Sequence, residues 1–320
     1  MVALALIPRT LSLCESIAAF KPDLVHLFWG HYPSLLGILL GRTPDAPPVT
    51  AFLGAYDLRL ASPLSGALAP YAKAILTHVH ANRPHILRLG VDPEQVHLSY
   101  RGIEVPDPLP KPSKNPFALI TIGRLIPLKR MDRCLQVLAA VREVHPEVSL
   151  TVLGDGPLRT DLEARARELD VDKHVRFKGH VSHDEVFQHL SESAVFLSMS
   201  DTDHLPNTIK EAMIRRCVCV STETHGIEEL ITDGVSGFIV PQGDVSAAAA
   251  RITEVFSKRQ EAEAIVKAAQ EHVCHTFNVD TVTQERLAIW QAIARTAKPK
   301  GLGQNGPQSE QRTRLQEGLQ

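Results

Sequence analysis

The sequence predicts an α/β protein of two domains, each built on a doubly wound parallel sheet. Its 320 residues give room for two domains of ordinary size, and each is long enough to bury its own core. Short apolar runs alternate with helical patterns along the chain, as parallel β-α units require. A polar stretch with five prolines, residues 101–116, separates two such series and is the best candidate for a linker.

The first series predicts the first domain, residues 1–108. A helix is expected at residues 35–40, and turn residues follow at 44–48. Four apolar runs predict parallel strands, at residues 24–28, 49–53, 74–78 and 95–99.

The second series alternates more regularly and predicts a complete doubly wound sheet over residues 115–277. Strands are expected at residues 118–122, 149–153, 175–179, 195–198, 218–221 and 238–240. Helices are expected between them at residues 131–144, 158–169, 183–191, 208–214 and 227–233. Ligands of such sheets bind at the carboxyl ends of the strands, so the loops there are the candidate site.

The carboxyl-terminal part continues as helix and then loses its apolar residues. Residues 245–270 form two alanine-rich helical patterns, and residues 282–294, within a final segment 278–297, predict a last helix that packs on the protein. Residues 298–320 are rich in Gly, Gln, Arg and Ser, so we expect a disordered tail.

Composition excludes several classes of protein. The chain is 44% apolar and 22% charged with a net charge of −2, which argues against a nucleic-acid-binding protein. Five scattered cysteines without a CxxC pair indicate a reducing compartment, and Cys217 and Cys219 fit a buried strand. No apolar run reaches the roughly 18 residues of a membrane span. The apolar residues 1–7 lack the basic start and the cleavage site of a signal peptide.

Residues 195–214 read as a strand, a polar loop and a helix start. The first N–H groups of a helix have no intrahelical partner, and with the helix dipole they form a site for phosphate or sugar oxygens. Asp203 and Glu211 place two carboxylates there, which suit a ligand rich in hydroxyls. The alternative is that Glu211 forms an ordinary surface pair with Arg215, four residues later.

Two other loops of the second domain carry candidate ligand groups. Arg124 and Lys129 suit a pyrophosphate. The alternative is that Lys129 and Arg130 are only solvent-exposed residues at the start of a helix. Gly154 and Gly156 resemble the opening of a dinucleotide fingerprint, but Arg159 stands where its third glycine belongs. This departure disfavours an NAD-dependent oxidoreductase.

Together these motifs resemble the donor half of the family 4 glycosyltransferases over roughly residues 115–245. The matching segments are Gly123-Arg124 with Lys129, Gly154-Asp-Gly-Pro157, residues 175–179, Leu205-Pro-Asn207 with Glu211, and Asp233-Gly-Val-Ser-Gly237. The first half is similar more weakly, through residues 21–26, 54–57 and 100–104. The resemblance implies the GT-B fold, in which two Rossmann-like domains face each other across a cleft and a final helix returns to the first domain.

The resemblance also implies a retaining transfer, of hexosyltransferase type, from a nucleoside diphosphate sugar to a glycan or lipid-linked acceptor without a metal or other cofactor. Catalytic roles carry over to four residues: Arg124 and Lys129 would neutralise the leaving diphosphate, Asp203 would hold the donor sugar, and Glu211 the ribose. Donor-binding positions carry over to Gly123, Gly154, Gly156, Phe177, Gly179, Leu205 and Asn207. Family members build polysaccharide or glycolipid, so we expect a cytoplasmic protein, with a peripheral contact at the inner face of the membrane.

Three departures from the family pattern bear on activity. Asp203 stands where the family has the first of two glutamates, with His204 where glycine is usual, and Leu53 replaces a histidine near the reacting carbon. The first domain starts late, which predicts a truncated first sheet, an exposed strand edge and self-association. A different start, a natural remnant, or a partner that supplies the missing part would each explain it. A non-catalytic nucleotide-sugar-binding or accessory subunit therefore stands as the alternative function.

Overall fold

The computed structural model of the chain describes residues 5–59, 63–110 and 113–297. It contains two parallel sheets flanked by helices, which confirms the predicted α/β fold class. The tail expected at residues 298–320 lies outside the described residues.

The first sheet has four parallel strands in the order β1-β2-β3-β4, and all four were predicted. These strands are β1 (Val25–Phe28), β2 (Val49–Phe52), β3 (Ala72–Thr77) and β4 (Val96–Leu98). The helices of this half are α1 (Ile7–Phe20), α2 (Pro33–Gly41), α3 (Ala55–Arg59), α4 (Pro63–Leu68) and α5 (Arg83–Leu87). Strand β1 lies at one edge of the sheet.

The second sheet has six parallel strands in the order β10-β9-β8-β5-β6-β7, the strand order of a Rossmann fold. The strands are β5 (Asn115–Ile122), β6 (Ser149–Leu153), β7 (Val175–Gly179), β8 (Ser193–Ser198), β9 (Val218–Thr222) and β10 (Phe238–Val240). The helices are α6 (Met131–Arg142), α7 (Arg159–Glu168), α8 (His183–Glu192), α9 (Asn207–Ile214), α10 (Val245–Ser257) and α11 (Arg259–Thr276). Chain order reverses between β5 and β8, so this is the switch point where such folds bind ligands.

The helix predicted at residues 227–233 is wrong. Only a single 3-10 turn forms there, Ile227–Glu229. The amide of Thr232 donates to Ser236 Oγ at 2.9 Å instead of to a carbonyl four residues earlier, because the chain already turns back toward β10. Buried Leu230 and Ile231 gave the segment its helical pattern, yet they pack into the core from an irregular loop.

Apolar side chains cover both faces of the second sheet. Leu119, Val195 and Val220 belong to the core on one face, and Ile120 and Phe196 to the core on the other. This alternation along β5 and β8 explains why the strands read as continuous apolar runs. Cys217 and Cys219 are buried in the second core, as predicted.

The last helix, α12 (Val279–Ala297), packs on the first sheet. Arg286 donates to Ser99 Oγ at 2.9 Å and to the Tyr100 carbonyl at 3.1 Å. The ring of Trp290 lies 4.8 Å from that of His26. None of the described helices is long and apolar enough to cross a membrane.

The carboxyl ends of both sheets face each other. After β3, the His80 amide donates to Glu229 Oε1 at 2.7 Å. After β4, the Tyr100 hydroxyl donates to Glu229 Oε2 at 3.0 Å. A Cβ on Gly226 would overlap the side chain of Val79, so the two halves touch at this point. Beside these contacts lies a cavity of about 670 Å³, lined by Ala81 after β3 and by residues of the loops after β8 and β9.

Candidate functional site

The loops that follow β5 and β8 meet at the switch point of the second sheet. The Asp201 amide donates to the Leu128 carbonyl at 3.0 Å. Lys129 Nζ lies 2.5 Å from Asp203 Oδ2. Two of the four predicted catalytic residues are thereby brought into direct contact.

The root of the β8 loop is fixed by a second set of ion pairs that the sequence analysis missed. Arg130 Nη1 lies 3.3 Å from Asp201 Oδ2, and Arg133 also pairs with Asp201. Two arginines three residues apart at the start of α6 were the available signal. Their partner follows β8 by a few residues, so only the strand order reveals the contact.

Arg124 and Lys129 differ in how available their side chains are to a ligand. The side chains of Lys129 and Asp203 are 23% and 20% exposed, so this ion pair is partly shielded from water yet open toward the cleft. Arg124 is exposed. Among the described residues its guanidinium has no hydrogen-bond or ion-pair partner, so its donors are available.

The glycines of the site allow backbones to approach closely. Gly154 has φ +123°, and a Cβ there would overlap the Gly123 carbonyl. The Gly154 amide donates to the Gly179 carbonyl at 2.8 Å. A Cβ on Gly156 would lie 2.5 Å from the Leu125 carbonyl oxygen. These glycines therefore bring together the loops after β5, β6 and β7, and direct contact of their backbones with a ligand stays a prediction.

Arg159, at the position where a third glycine was missing, ties α7 to the end of β7. Its Nη2 donates to the Phe177 carbonyl at 3.2 Å, and its Nε donates to Glu163 at 3.0 Å. The Phe177 carbonyl, one of the groups expected near the nucleotide base, already accepts this bond.

Helix α9 begins at Asn207, two residues after the buried Leu205, whose φ is +46°. Lys210 on its first turn is fully buried and donates to the Arg101 carbonyl at 2.8 Å and to Asn207 Oδ1 at 3.3 Å. Burial, together with the nearby charge of Arg101, lowers the pKa of Lys210 to about 8. The start of α9 is thus anchored to the end of the first domain.

Glu211 projects from α9 into a cavity of about 730 Å³, between α8, α9 and the linker. Its Oε1 lies 3.3 Å from His183 Nε2, and its side chain is 15% exposed. Arg215, the alternative partner, lies instead over the Phe187 ring at 4.3 Å from its centroid. Glu211 is therefore free of the surface pair that the sequence offered as an alternative.

The departures from the family pattern have visible structural consequences. The His204 amide donates to Asp203 Oδ1 at 3.1 Å, and the His204 ring lies 5.6 Å from that of His225. Leu53 is fully buried over Gly30, so position 53 presents no polar group to the cleft. Within residues 5–59, 63–110 and 113–297, no group of three or more His, Cys, Asp or Glu side chains is arranged to hold a metal ion.

The chain is similar in sequence to known glycosyltransferases. The chain is 26% identical to the amylovoran biosynthesis glycosyltransferase AmsK of Erwinia amylovora, over 69% of its own length and 54% of AmsK. It is 28% identical to WcaL, a putative colanic acid biosynthesis glycosyltransferase of Escherichia coli (strain K12), over 64% of its own length and 53% of WcaL. The chain therefore spans about half the length of these relatives.

Among solved structures, the chain resembles Anabaena HepE, crystallised with UDP. The TM-score is 0.75 at 18% identity, and the match covers 89% of this chain and 82% of HepE. This likeness confirms the GT-B fold. The sequence profile of the family described as glycosyl transferases group 1 matches residues 106–272, about half of the chain. The chain therefore belongs to the glycosyl transferases group 1 family.

Proposed function

We propose that the protein transfers a sugar from a nucleoside diphosphate sugar to a glycan or lipid-linked acceptor, with retention of anomeric configuration and without a metal ion. The observation that carries the proposal is the contact of Lys129 with Asp203 at the switch point of the second sheet, with the unpaired Arg124 in the same loop as Lys129 and α9 starting four residues after Asp203. Cations, a carboxylate and helix N–H groups there match a diphosphate linked to a sugar.

The leaving diphosphate gains negative charge as its bond to the sugar breaks. Arg124 offers a fork of donors, Lys129 a compact charge, and the first turn of α9 its N–H groups. Charges placed before the reaction stabilise a transition state more than charges that must reorganise. In this proposal they take the part that a divalent cation plays in other enzymes.

Glu211 is assigned to the ribose. A carboxylate accepts hydrogen bonds at both oxygens, which suits a pair of adjacent hydroxyls. The cavity of about 730 Å³ that it lines is of the size that small-molecule sites have.

Asp203 is assigned to the hydroxyls of the donor sugar. Its Oδ2 lies 2.5 Å from Lys129 Nζ, so in this proposal donor binding opens this pair or shares it. Lys129 then turns to the phosphates and Asp203 to the sugar. The pair keeps both groups ordered until the ligand arrives.

The acceptor and the place of action belong to the same proposal. AmsK and WcaL are described as glycosyltransferases of amylovoran and colanic acid biosynthesis, which supports a polysaccharide or glycolipid acceptor here. We place the reaction in the cytoplasm, with the protein bound peripherally at the inner face of the membrane.

A second candidate is a nucleotide-sugar-binding subunit without transfer activity. The buried Leu53 and the shorter Asp203 favour it, because both reduce the polar contacts available near the reacting carbon.

Release of nucleoside diphosphate from common UDP-, GDP- and ADP-sugars by the intact chain separates the two candidates. If the protein transfers sugar, it should release the nucleoside diphosphate, and Arg124→Ala should lower the rate of this release at least tenfold. Arg142→Ala is the matched control, because Arg142 pairs with Asp170 away from the site. Nucleotide-sugar binding without release of the diphosphate supports the binding subunit. The absence of both binding and release refutes both candidate functions.

A further inference from the structure

We propose that the carboxyl edge of the first sheet carries a subsite for a pyranose ring of the acceptor, built on His31, Asp57 and Tyr56. The proposal rests on the proposed function, because it names the acceptor side of the same cleft. It follows from a buried carboxylate, the imidazole that lies against this carboxylate, and an exposed aromatic ring beside them.

Asp57 is a buried carboxylate with three nitrogen atoms around it. It is 1% exposed. It accepts hydrogen bonds from the Gly30 amide at 2.7 Å and the Gly54 amide at 2.8 Å, and His31 Nδ1 lies 3.0 Å from its Oδ1 as an ion-pair contact. A charge buried to this degree is stable only when hydrogen-bonded, and these donors come from the loops after β1 and β2. Asp57 therefore holds both loops in one fixed arrangement.

The carboxylate also lies against the imidazole of His31. Nδ1 is the ring nitrogen that contacts Asp57, so Nε2 is the nitrogen that Asp57 does not engage. An imidazole nitrogen can donate to a hydroxyl or accept from one, according to its tautomer. The His31 side chain is 31% exposed. Among the described residues Nε2 has no hydrogen-bond partner, so this nitrogen is available to the hydroxyl of a ligand.

An aromatic side chain stands beside this imidazole. The Tyr56 ring lies edge-on to the His31 ring, with centroids 5.2 Å apart. Tyr56 is 61% exposed. An exposed tyrosine ring presents an apolar face and a polar tip. A pyranose matches the ring and the imidazole together, because it has an apolar C–H face and a rim of hydroxyls.

The position of the subsite faces the donor side. The loops after β3 and β4 touch the second domain through His80 and Tyr100. His31 and Asp57 follow β1 and β2, which are the next strands along the same edge. A sugar bound at His31 therefore lies on the wall of the cleft opposite the second sheet. The geometry thus points to an acceptor rather than to a second donor.

Saturation-transfer NMR on the intact chain tests the subsite, with methyl α- and β-pyranosides of glucose, galactose, mannose and N-acetylglucosamine as probes. We expect millimolar binding of at least one pyranoside. Tyr56→Ala and His31→Ala should each weaken it at least fivefold, whereas Tyr56→Phe keeps the ring and should retain it. Phe20→Ala, which removes an exposed aromatic on α1, is the matched control and should have no effect.

The donor site provides an independent readout. Nucleoside diphosphate binding should be unchanged in Tyr56→Ala, which also shows that the variant is folded. Binding of the nucleotide without binding of any pyranoside overturns the subsite and leaves the proposed function intact. Pyranoside binding without any nucleotide binding supports the sugar subsite and contradicts the proposed function. Self-association that Tyr56→Ala abolishes, with no pyranoside bound, shows a contact between copies and also overturns it.

Discussion

Replacing Asp203 by asparagine should tighten the binding of a free nucleoside diphosphate. Asp203 Oδ2 pairs with Lys129 Nζ at 2.5 Å, and both side chains are partly buried. The neutral amide releases the lysine for the diphosphate and removes a negative charge beside it. Both effects act in the same direction. If Asp203 contacted the nucleoside diphosphate directly, its replacement would instead weaken the binding of that ligand.

The size of the effect follows from the exposure of the pair. Exposed ion pairs contribute about 0.2–1 kcal/mol, and this one, with side chains 23% and 20% exposed, should lie near the upper end. Relief of repulsion in a water-like environment adds up to about 1 kcal/mol. Together these terms predict affinity roughly 5- to 30-fold higher. The affinity for the corresponding nucleotide sugar should rise less or fall, because the variant loses a hydrogen bond from a sugar hydroxyl to a carboxylate, which contributes about 1.5–3 kcal/mol.

Isothermal titration calorimetry at low and high salt measures both affinities. The gain for the free diphosphate should shrink at high salt, since screening weakens exposed charges. Asp170→Asn is the matched control, because it removes the same charge from a pair with Arg142 outside the site. An Asp203→Asn variant that melts like the wild type yet binds the free diphosphate equally or more weakly would refute the reasoning.

The other predictions concern the ribose contact, acid stability and loop packing. Glu211→Ala should weaken nucleoside diphosphate binding by about 1.5–3 kcal/mol in calorimetry, and unchanged affinity in a folded variant removes the ribose assignment. Burial and nearby Arg101 lower the pKa of His78 from 6.5 to about 4, so the unfolded state binds its proton first as the pH falls. This contribution to stability is complete above pH 6.5 and is lost as the pH falls toward 4, up to about 3 kcal/mol at 1.36 kcal/mol per pKa unit. Urea unfolding across this pH range should therefore show a shallower loss in His78→Phe, and an equal slope contradicts the assignment. Gly154→Ala should destabilise the protein by more than about 3 kcal/mol in urea unfolding, since its Cβ would overlap Gly123 as well as strain the backbone. Gly90→Ala, with φ +84° and nothing within 4 Å, should cost only about 1–2 kcal/mol, and equal losses would contradict the packing argument.

The sequence predicts that the loops of the second sheet meet at one edge. Strands buried on both faces read as short apolar runs, and the loops at their carboxyl ends contain the unusual residues. The structure brings Lys129 and Asp203 of two such loops into contact, and their role in donor binding stays a prediction. Their ion pair was not expected, because a contact across 74 positions depends on β5 lying beside β8.

The first domain contains a side-chain contact and a helix that the sequence pattern does not predict. His31 and Asp57 lie 26 positions apart and meet only because β1 pairs with β2 in a particular register. No local pattern predicts a buried carboxylate that accepts from two backbone amides and lies against an imidazole. Helix α1 was missed for a different reason: Leu11 and Leu13 are exposed, so its apolar residues do not mark one buried face.

The most direct test of the donor site is a thermal-shift panel of UDP, GDP, ADP and their common sugar conjugates against the intact chain. A ligand at 100 times its Kd should add roughly 2.7 kcal/mol of stability. We predict stabilisation by one nucleoside diphosphate and its sugar conjugate, and loss of that shift in Glu211→Ala. A cooperative melting transition that no nucleotide moves would contradict the assignment of a donor site to the edge of the second sheet.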